Sequence, residues 1–585
     1  VKAHMGEVNR PLEVEGEELT GRRAPRPAPP IVTADDEVLH SLVWVPPAIT
    51  SITDEDIIDR RLDARVDAYG LDGGGGGGGD VAFNYDDWNW VHMVDAGADP
   101  DGVDDVSSLI ETHAADDTVL LFTSGDFRIS NRALLENYSN LAIIGRGDVT
   151  FIADNQNESL IRYTGGTGFH VKNVTFDYTA DGMAGRALYC EADDKILYED
   201  VTVVGTFDSG SSNGPFRVEV STDEGVAEMI RVKAADGSDG DPDAGGFYTG
   251  PNHYGTVVLR NCHFEGWEDN GIYNSGPESG DPGGVGTCIV EGGTYKNNDI
   301  AQVRFQGTGC AVRDAFIGYT DATEEAADRP DNARGVRLRA GDSHVVENCR
   351  FEYIDDIVGN AVEVHDEFFG EVTVRDCVFD CHHNNSLRVK PFTGNSEKAS
   401  GPSTKPVSFI NCSFYYGDGT DYQTEFLQAA REYVFFRDCR FENIENGNRI
   451  ALTLDRPNTN AKDCYFLGVN NTFALEVDDG ADESEIRNCR FEDSDGMVVR
   501  GATSPTLEGN FGIVLINATC TDAEITRTQY MDITDDGTRT LINGWGENAG
   551  DPSSTGSWNG QGRQGVNVWD TTNSVKYTYL NGAWR

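Results

Sequence analysis

The sequence predicts an all-β chain: a right-handed parallel β-helix (solenoid) with an extended N-terminal anchoring arm and a small C-terminal β module. Two repeating patterns lead there. A tetrapeptide recurs as NVTF at 173, NCHF at 261, NCRF at 348, DCVF at 376, NCSF at 411, DCRF at 438, DCYF at 463 and NCRF at 488. From residue 348 the copies lie 28, 35, 27, 25 and 25 residues apart. A period in that range marks a solenoid, because one unit can bury its apolar face only against its neighbours. Between the copies run AQVRFQG, GVRLRAG, NAVEVHD, NSLRVKP, IALTLDR and FALEVDD, each apolar, polar, apolar. That alternation buries one face of a strand, and coils stacked about 4.8 Å apart bring equivalent residues into columns.

In chain order, residues 1–72 read as an arm. A Pro-rich piece (Pro25 to Pro30, Pro46, Pro47) precedes ITDEDIIDRRLDARVDAYG, where Ile58, Leu62 and Val66 recur every four residues. One apolar stripe that narrow suits docking or self-association better than a core of its own. Seven glycines, Gly73 to Gly79, make residues 73–80 a flexible linker. The solenoid is expected over 81–520, with the stretch 205–255 standing out as a long insertion. Residues 521–585 hold no further Cys but carry Trp545, Trp558, Trp569, Tyr577, Tyr579 and Trp584. They read as a β capping or oligomerisation module closing the open sheet edge, with a hairpin from VNVWD to VKYTYL.

Of the 585 residues, 99 are Asp or Glu and 46 Lys or Arg, a formal charge of -53, and only ten are Lys. Such a surface repels itself unless salt screens it, and at molar salt the Debye length is about 3 Å. The expected setting is therefore a high-salt one. Hydrophobic residues at 38% and aromatics at 10% exclude an acidic disordered chain. The charge also argues against nucleic acid, since no basic stripe offsets it. Arg22-Arg23 is followed by prolines where an export signal would need an apolar segment, and no apolar run reaches the roughly 20 residues a membrane span requires. Neither export by signal nor membrane insertion is expected.

The segment VHMVDAGADPDGVDDVSSLIETHAADDTVLLFTSGDFRISN joins a strand, an Asp/Gly turn, a short helix and a strand. With Asp95, Gly97, Ala98, Asp99, Gly102 and Asp105 before the helix and GDFRI after it, it resembles the opening coil of pectate-lyase-like β-helix proteins. LAIIGRGDVTFIAD fits the coil that follows. The resemblance and the periodicity together span about residues 90–520. The family includes viral tailspikes, tail fibres and polysaccharide lyases and hydrolases, so it implies the fold but not one activity. Similar tailspikes are homotrimers, and the resemblance implies a homotrimer here.

Cys262, Cys349, Cys377, Cys412, Cys439, Cys464 and Cys489 all stand two before the aromatic of the tetrapeptide. Residues two apart on a strand point the same way, so these are expected to form an internal column of free thiols. Cys377, Cys381, His382 and His383 cluster in one short segment, with Cys377 read as internal and the histidines as a turn; no metal site is expected. No cofactor is expected either, although acidic turns at Asp236–Asp243 and Asp478–Glu483 offer oxygen ligands for structural calcium.

The column on the polar side of the second strand carries Arg304, Arg337 and Arg339, Glu363 and His365, Arg388 and Lys390, Thr453 and Asp455, and Glu476 and Asp478. Basic residues are scarce, yet they gather here. Arg304, Arg337, Arg339, Glu363, Arg388 and Lys390 are the candidate ligand-binding residues. Any catalytic group would come from Glu363, His365, Arg388 and Lys390, with carboxylates for acid/base work. LRVKP resembles the Arg-Ile-Lys element of polygalacturonases at Arg388 and Lys390, but the other acidic and His elements of that family have no counterpart. A cross-rung salt ladder, Arg337 to Glu363 to Arg388, is the structural alternative.

These features lead to the expectation of a virion surface fibre or tailspike-like protein of a halophilic archaeal virus. It would act in viral attachment, with a host-envelope glycan or glycoprotein as its partner and a virion attachment protein held through the N-terminal arm. The alternatives are a polysaccharide lyase or glycoside hydrolase of a halophile, and a non-catalytic decoration protein.

Overall fold

The computed structural model describes residues 81–584 apart from intervening stretches, the longest being 276–285, 321–332, 390–404 and 549–566. The chain divides at Gly73 and Gly74. The arm, with its helical pattern and the stripe Ile58, Leu62 and Val66, lies outside the described residues, as does the glycine run.

From Asn89 onward the chain winds as a parallel β-solenoid with three ladders. The first ladder stacks Thr256–Arg260 on Thr287–Glu291, then Ala311–Arg313, Ser343–Glu347, Glu371–Arg375, Val407–Ile410 and Val434–Arg437. The second stacks the tetrapeptide strands, among them Arg350–Tyr353, Val378–Cys381, Ser413–Tyr416 and Arg440–Asn443. The third stacks Leu188–Ala192, Phe216–Val220, Phe247–Thr249, Asn270–Asn274, Ala301–Phe305, Ala333–Leu338 and Gly359–Val364. The one described helix, Ser107–His113, lies in the opening coil. Before it, the Asp99 carboxylate accepts the backbone N–H groups of Asp101, Val103 and Asp104 and so holds the Asp/Gly turn closed.

The described residues of 205–255 wind as regular coil. Phe216–Val220 joins the third ladder, Val226–Ile230 the first, Lys233–Ala234 the second and Phe247–Thr249 the third again. Parallel pairing also continues past residue 520, through Glu524–Thr526 and Met531–Asp535 to Leu541–Ile542. Antiparallel pairing follows, and the end of the chain forms the hairpin Asn567–Asp570 with Val575–Leu580.

The tetrapeptide does three jobs at one corner. Its first residue turns the chain from the first ladder into the second with a left-handed backbone: φ is 51° at Asn348, 56° at Asp376, 52° at Asn411, 55° at Asp438 and Asp463, and 53° at Asn488. Asn and Asp tolerate that conformation best among residues with a side chain. Stacked on one another they also bond, Asn411 Nδ2 donating to Asp376 Oδ1 at 2.7 Å and Asn488 Nδ2 to Asp463 Oδ1 at 2.9 Å.

The second residue, Cys, points inward, and all twelve cysteines are free and buried. The Cys412 thiol donates to the Val374 carbonyl one rung back at 3.6 Å, and Cys439 does the same to Phe409 at 3.5 Å. The fourth residue builds an aromatic column. Phe351, Phe379, Phe414, Phe441, Phe466 and Phe491 stack with centroids 4.6, 4.9, 4.7, 4.8 and 4.9 Å apart and ring planes within 14°. Burying each ring stabilises by roughly 2–3 kcal/mol before any pair term.

At the other end, residues from Val81 to Trp90 cross the outer face of the first ladder. Val81 N–H donates to Glu228 Oε2 at 2.7 Å, the Phe83 ring stacks on His170 at 5.3 Å and receives Lys195 Nζ at 4.4 Å, and Tyr85 hydrogen-bonds the His170 ring. This strap covers an outward apolar patch of Val119, Leu121 and Ala142.

Candidate functional site

Along the third ladder, the register places Arg162, Tyr189 and Arg217 in one outward column, continued by Tyr248, Tyr273, Arg304, Arg337 and Glu363. Cations and rings interleave. The Arg162 and Arg217 guanidinium carbons each lie 4.6 Å from the centroid of Tyr189 between them. Tyr248 and Tyr273 meet edge to face at 5.4 Å, and Arg304 lies 4.1 Å over Tyr273. Each such contact is worth on the order of 0.5–2 kcal/mol, the more as water is excluded. Holding long Arg side chains between rings also fixes their direction in advance of any ligand.

Carboxylates flank the column at two places. Glu219 is fully buried, with its Oε1 2.7 Å from Arg217 Nη2. Gly250 on the next rung makes that possible, because a Cβ there would lie 1.4 Å from Glu219 Oε1. Burial raises the Glu219 carboxyl above its ordinary range and outweighs the pull of Arg217 in the other direction. Glu363, also fully buried, pairs with Arg334 and lies 3.3 Å from Arg337 Nε. Burial lowers Arg337 to about 10, against the opposing attraction of Glu363.

Arg304, Arg337 and Glu363 are thus in register on consecutive rungs, as the sequence pattern suggests. Arg339 and His365 follow their strands, held by backbone bonds to Phe305 and Leu338. Arg388 lies on a third-ladder strand opposite Gln428, and its side chain is outside the described residues, as is the whole of Lys390. The Arg337 to Glu363 link of the proposed salt ladder is present, whereas the step to Arg388 falls outside the described set. Further on, Gln428 Nε2 donates to Asp455 at 2.8 Å and Glu476 pairs with Arg500 at 2.8 Å, which places these residues in local bonds of the ladder. Cys381 is buried, while His382 and His383 lie outside the described residues.

Sequence reasoning missed the N-terminal half of the column: Arg162, Tyr189, Arg217, Tyr248, Tyr273 and Glu219. The tetrapeptide is absent between residues 177 and 260, so no alignment anchor pointed at the strands of Tyr189, Arg217 and Tyr248. The signal was still there, in IRYTG, LYCEA, FRVEV, FYTG and GIYNS, each placing Arg or Tyr at the polar position.

No family model matches this chain, and no curated protein matches it. Among solved structures, tailspike protein 3 of bacteriophage CBA120 aligns over 90% of this chain and 76% of its own, at 10% identity and a TM-score of 0.32. PfbA, a surface adhesin of Streptococcus pneumoniae, aligns over 85% and 99% at 10% identity and a TM-score of 0.35. The A-module of the mannuronan C-5 epimerase AlgE4 of Azotobacter vinelandii aligns over 78% and 100% at 12% identity and a TM-score of 0.35.

Proposed function

We propose that this chain is a surface spike of a virus that infects salt-loving archaea, and that it recognises a host-envelope glycan along the third ladder. The observation that carries the glycan reading is the interleaved Arg/Tyr column from Arg162 to Arg337. Aromatic faces suit the apolar faces of sugar rings, and fixed guanidinium forks suit carboxylate or sulfate substituents. Support for the high-salt setting comes from the charge of -53 in a chain with a closely packed interior. In this reading the arm holds the spike to the virion and three copies assemble through the C-terminal aromatics.

Cleavage of the same glycan is a second reading, favoured by Glu219. Its carboxyl is buried beside a row of cations, and burial shifts it upward, the direction in which a general acid is tuned.

Purified protein incubated in multimolar salt with haloarchaeal envelopes separates these readings. Recognition predicts saturable binding that Arg217→Ala/Arg304→Ala weakens by roughly tenfold or more, with no sugar released. Release of oligosaccharide that Glu219→Gln abolishes would establish cleavage instead. Absence of binding to every envelope tested would leave the spike reading without its partner.

A further inference from the structure

On the first ladder, a different face from the Arg/Tyr column, one outward position carries Arg260, Glu291, Arg313, Glu347 and Arg375 on successive rungs. Signs alternate, and each charge meets its opposite: Arg260 to Glu291 at 3.3 Å, Glu291 to Arg313 at 3.6 Å, Arg313 to Glu347 at 3.6 Å and Glu347 to Arg375 at 2.8 Å. The same column then changes rule. After Ile410 come Arg437, Lys462 and Arg487 on three consecutive rungs, before Glu508 restores the alternation.

Like charges directly opposite on neighbouring strands are destabilising, and this chain has more than twice as many acidic residues as basic ones to choose from. Carboxylates do approach the three cations, but unevenly. Arg487 is held at 2.7 Å by Glu508 and 3.1 Å by Glu485. Among the described residues, the carboxylates that Arg437 and Lys462 reach are Asp438 at 3.7 Å and Asp463 at 3.9 Å, and their side chains are 55% and 54% exposed. Beside Arg437 and Lys462 the outward positions are apolar or neutral, Ile410, Ser408, Phe435 and Asn460, whereas beside Arg487 the same position is Glu485, already engaged by Arg487. Together with the three cations these residues line a cavity of about 250 Å³ that stays net positive.

We propose that this cavity is a second binding surface, for an acidic glycan, with a sugar ring on Phe435 and Ile410 and its carboxylate or sulfate groups on Arg437 and Lys462. The inference stands apart from the reading of the third ladder. Charge complementarity selects an anionic occupant, and the half-buried Phe435 among the cations selects one with an apolar ring face. Rungs about 4.8 Å apart repeat at roughly the length of a pyranose residue in an extended chain, so successive acidic sugars can meet successive cations. A second copy of this protein fits less well, because a stable contact needs on the order of 800 Å² of matched surface on each partner, and this is a pocket about one ring wide.

The test is calorimetric titration of the full chain with polygalacturonate oligosaccharides, chondroitin sulfate oligosaccharides and neutral dextran, in the salt that keeps it folded and again at lower salt. At least one acidic probe is expected to bind and dextran is not. Arg437→Gln/Lys462→Gln should weaken that binding by roughly tenfold or more, and Phe435→Ala should weaken it with no change in salt dependence. Arg350→Gln, on the second ladder and outside both surfaces, should leave this binding in place. Circular dichroism and light scattering on each variant separate loss of binding from loss of fold. Binding unchanged in the double variant, equal binding of dextran, or no binding of either acidic probe would overturn the proposal. So would self-association of the wild type that the double variant loses while no glycan binds. Binding lost only in Arg217→Ala would overturn this proposal and leave the third-ladder reading standing.

Discussion

The coils from about residue 343 to 492 and those from about 161 to 305 share one architecture but are built differently. In the later coils one corner and the second ladder repeat residue for residue, Phe on Phe, Cys on Cys and Asn or Asp at every corner, while the inward first-ladder positions vary as Val346, Val374, Phe409, Phe436, Ala461 and Ile486. In the earlier coils the interior is mixed, with Tyr163, Tyr198, Phe216, Met229 and Trp267 each buried once in its own place, while the outward face of the third ladder carries the interleaved Arg/Tyr column. A strict repeat optimises stacking between rungs. Where it lapses, each position answers to its own neighbours, and side chains unsuited to a repeat can be placed one at a time.

The largest expected effect breaks this contrast at its strongest point. Phe414→Ala removes a ring with parallel partners on both sides and should cost about 3–5 kcal/mol, read from denaturant unfolding in salt. Phe176→Ala, whose ring meets Phe151 tilted at 33° and 5.5 Å, should cost less. Equal losses would show that the regular column adds nothing beyond burial.

Acid should act in the opposite sense, on the irregular coils and the rungs just after them. Burial lowers His170 to about 3 and His253 and His344 to about 4. For a base whose folded pKa lies below its unfolded value near 6.5, the stabilising neutral form is fully present above 6.5. That contribution is lost as pH falls toward the folded value. His253 and His344 should therefore each contribute on the order of 3 kcal/mol that disappears between about pH 6.5 and 4, and His170 somewhat more, lost down to about pH 3. Hydrogen exchange should show coils 161–345 opening first on acidification, and His170→Gln should flatten the pH dependence around the strap that Phe83 and Tyr85 form over it.

A smaller effect concerns the corners. Asn411→Ala forces alanine into a left-handed conformation and removes one bond of the Asn/Asp ladder, at about 1–2 kcal/mol. Asn411→Gly should recover most of the backbone part, and thermal unfolding of the two variants side by side measures the difference.

The sequence made the C-terminal half legible because a repeat exposes itself: equal residues at equal spacing need no knowledge of the turns. The inward Cys and Phe columns followed from strand alternation alone, and so did the register of Arg304, Arg337 and Glu363. The positive φ of the corner residue was hidden, since Asn and Asp serve as readily in ordinary turns. Arg217 and Glu219 were hidden for a different reason. Their pairing depends on Gly250 one rung away, and spacing in the chain cannot show which side chain fills the room a glycine leaves. The alternating column from Arg260 to Arg375 lay on strands whose polar positions went unread.

The repeated corner carries a consequence for how the molecule is assembled. A coil between Asn348 and Phe491 that settled one level too far along would still find Phe against Phe, Cys against Cys and a matching corner. The repeated corner and aromatic column of those coils therefore do little to distinguish correct winding from slipped winding, and the first-ladder interior, where Phe436 is followed by Ala461 and Ile486, does more. Discrimination falls to the parts that differ from level to level: this first-ladder interior, connections of unequal length, and the one-of-a-kind packing of the earlier coils. Those earlier coils come first in the chain and offer a finished template on which each later level can be laid down in order. A molecule wound this way is best completed progressively from its N-terminal side, and disturbing the early coils should show up as misalignment far from the altered residue.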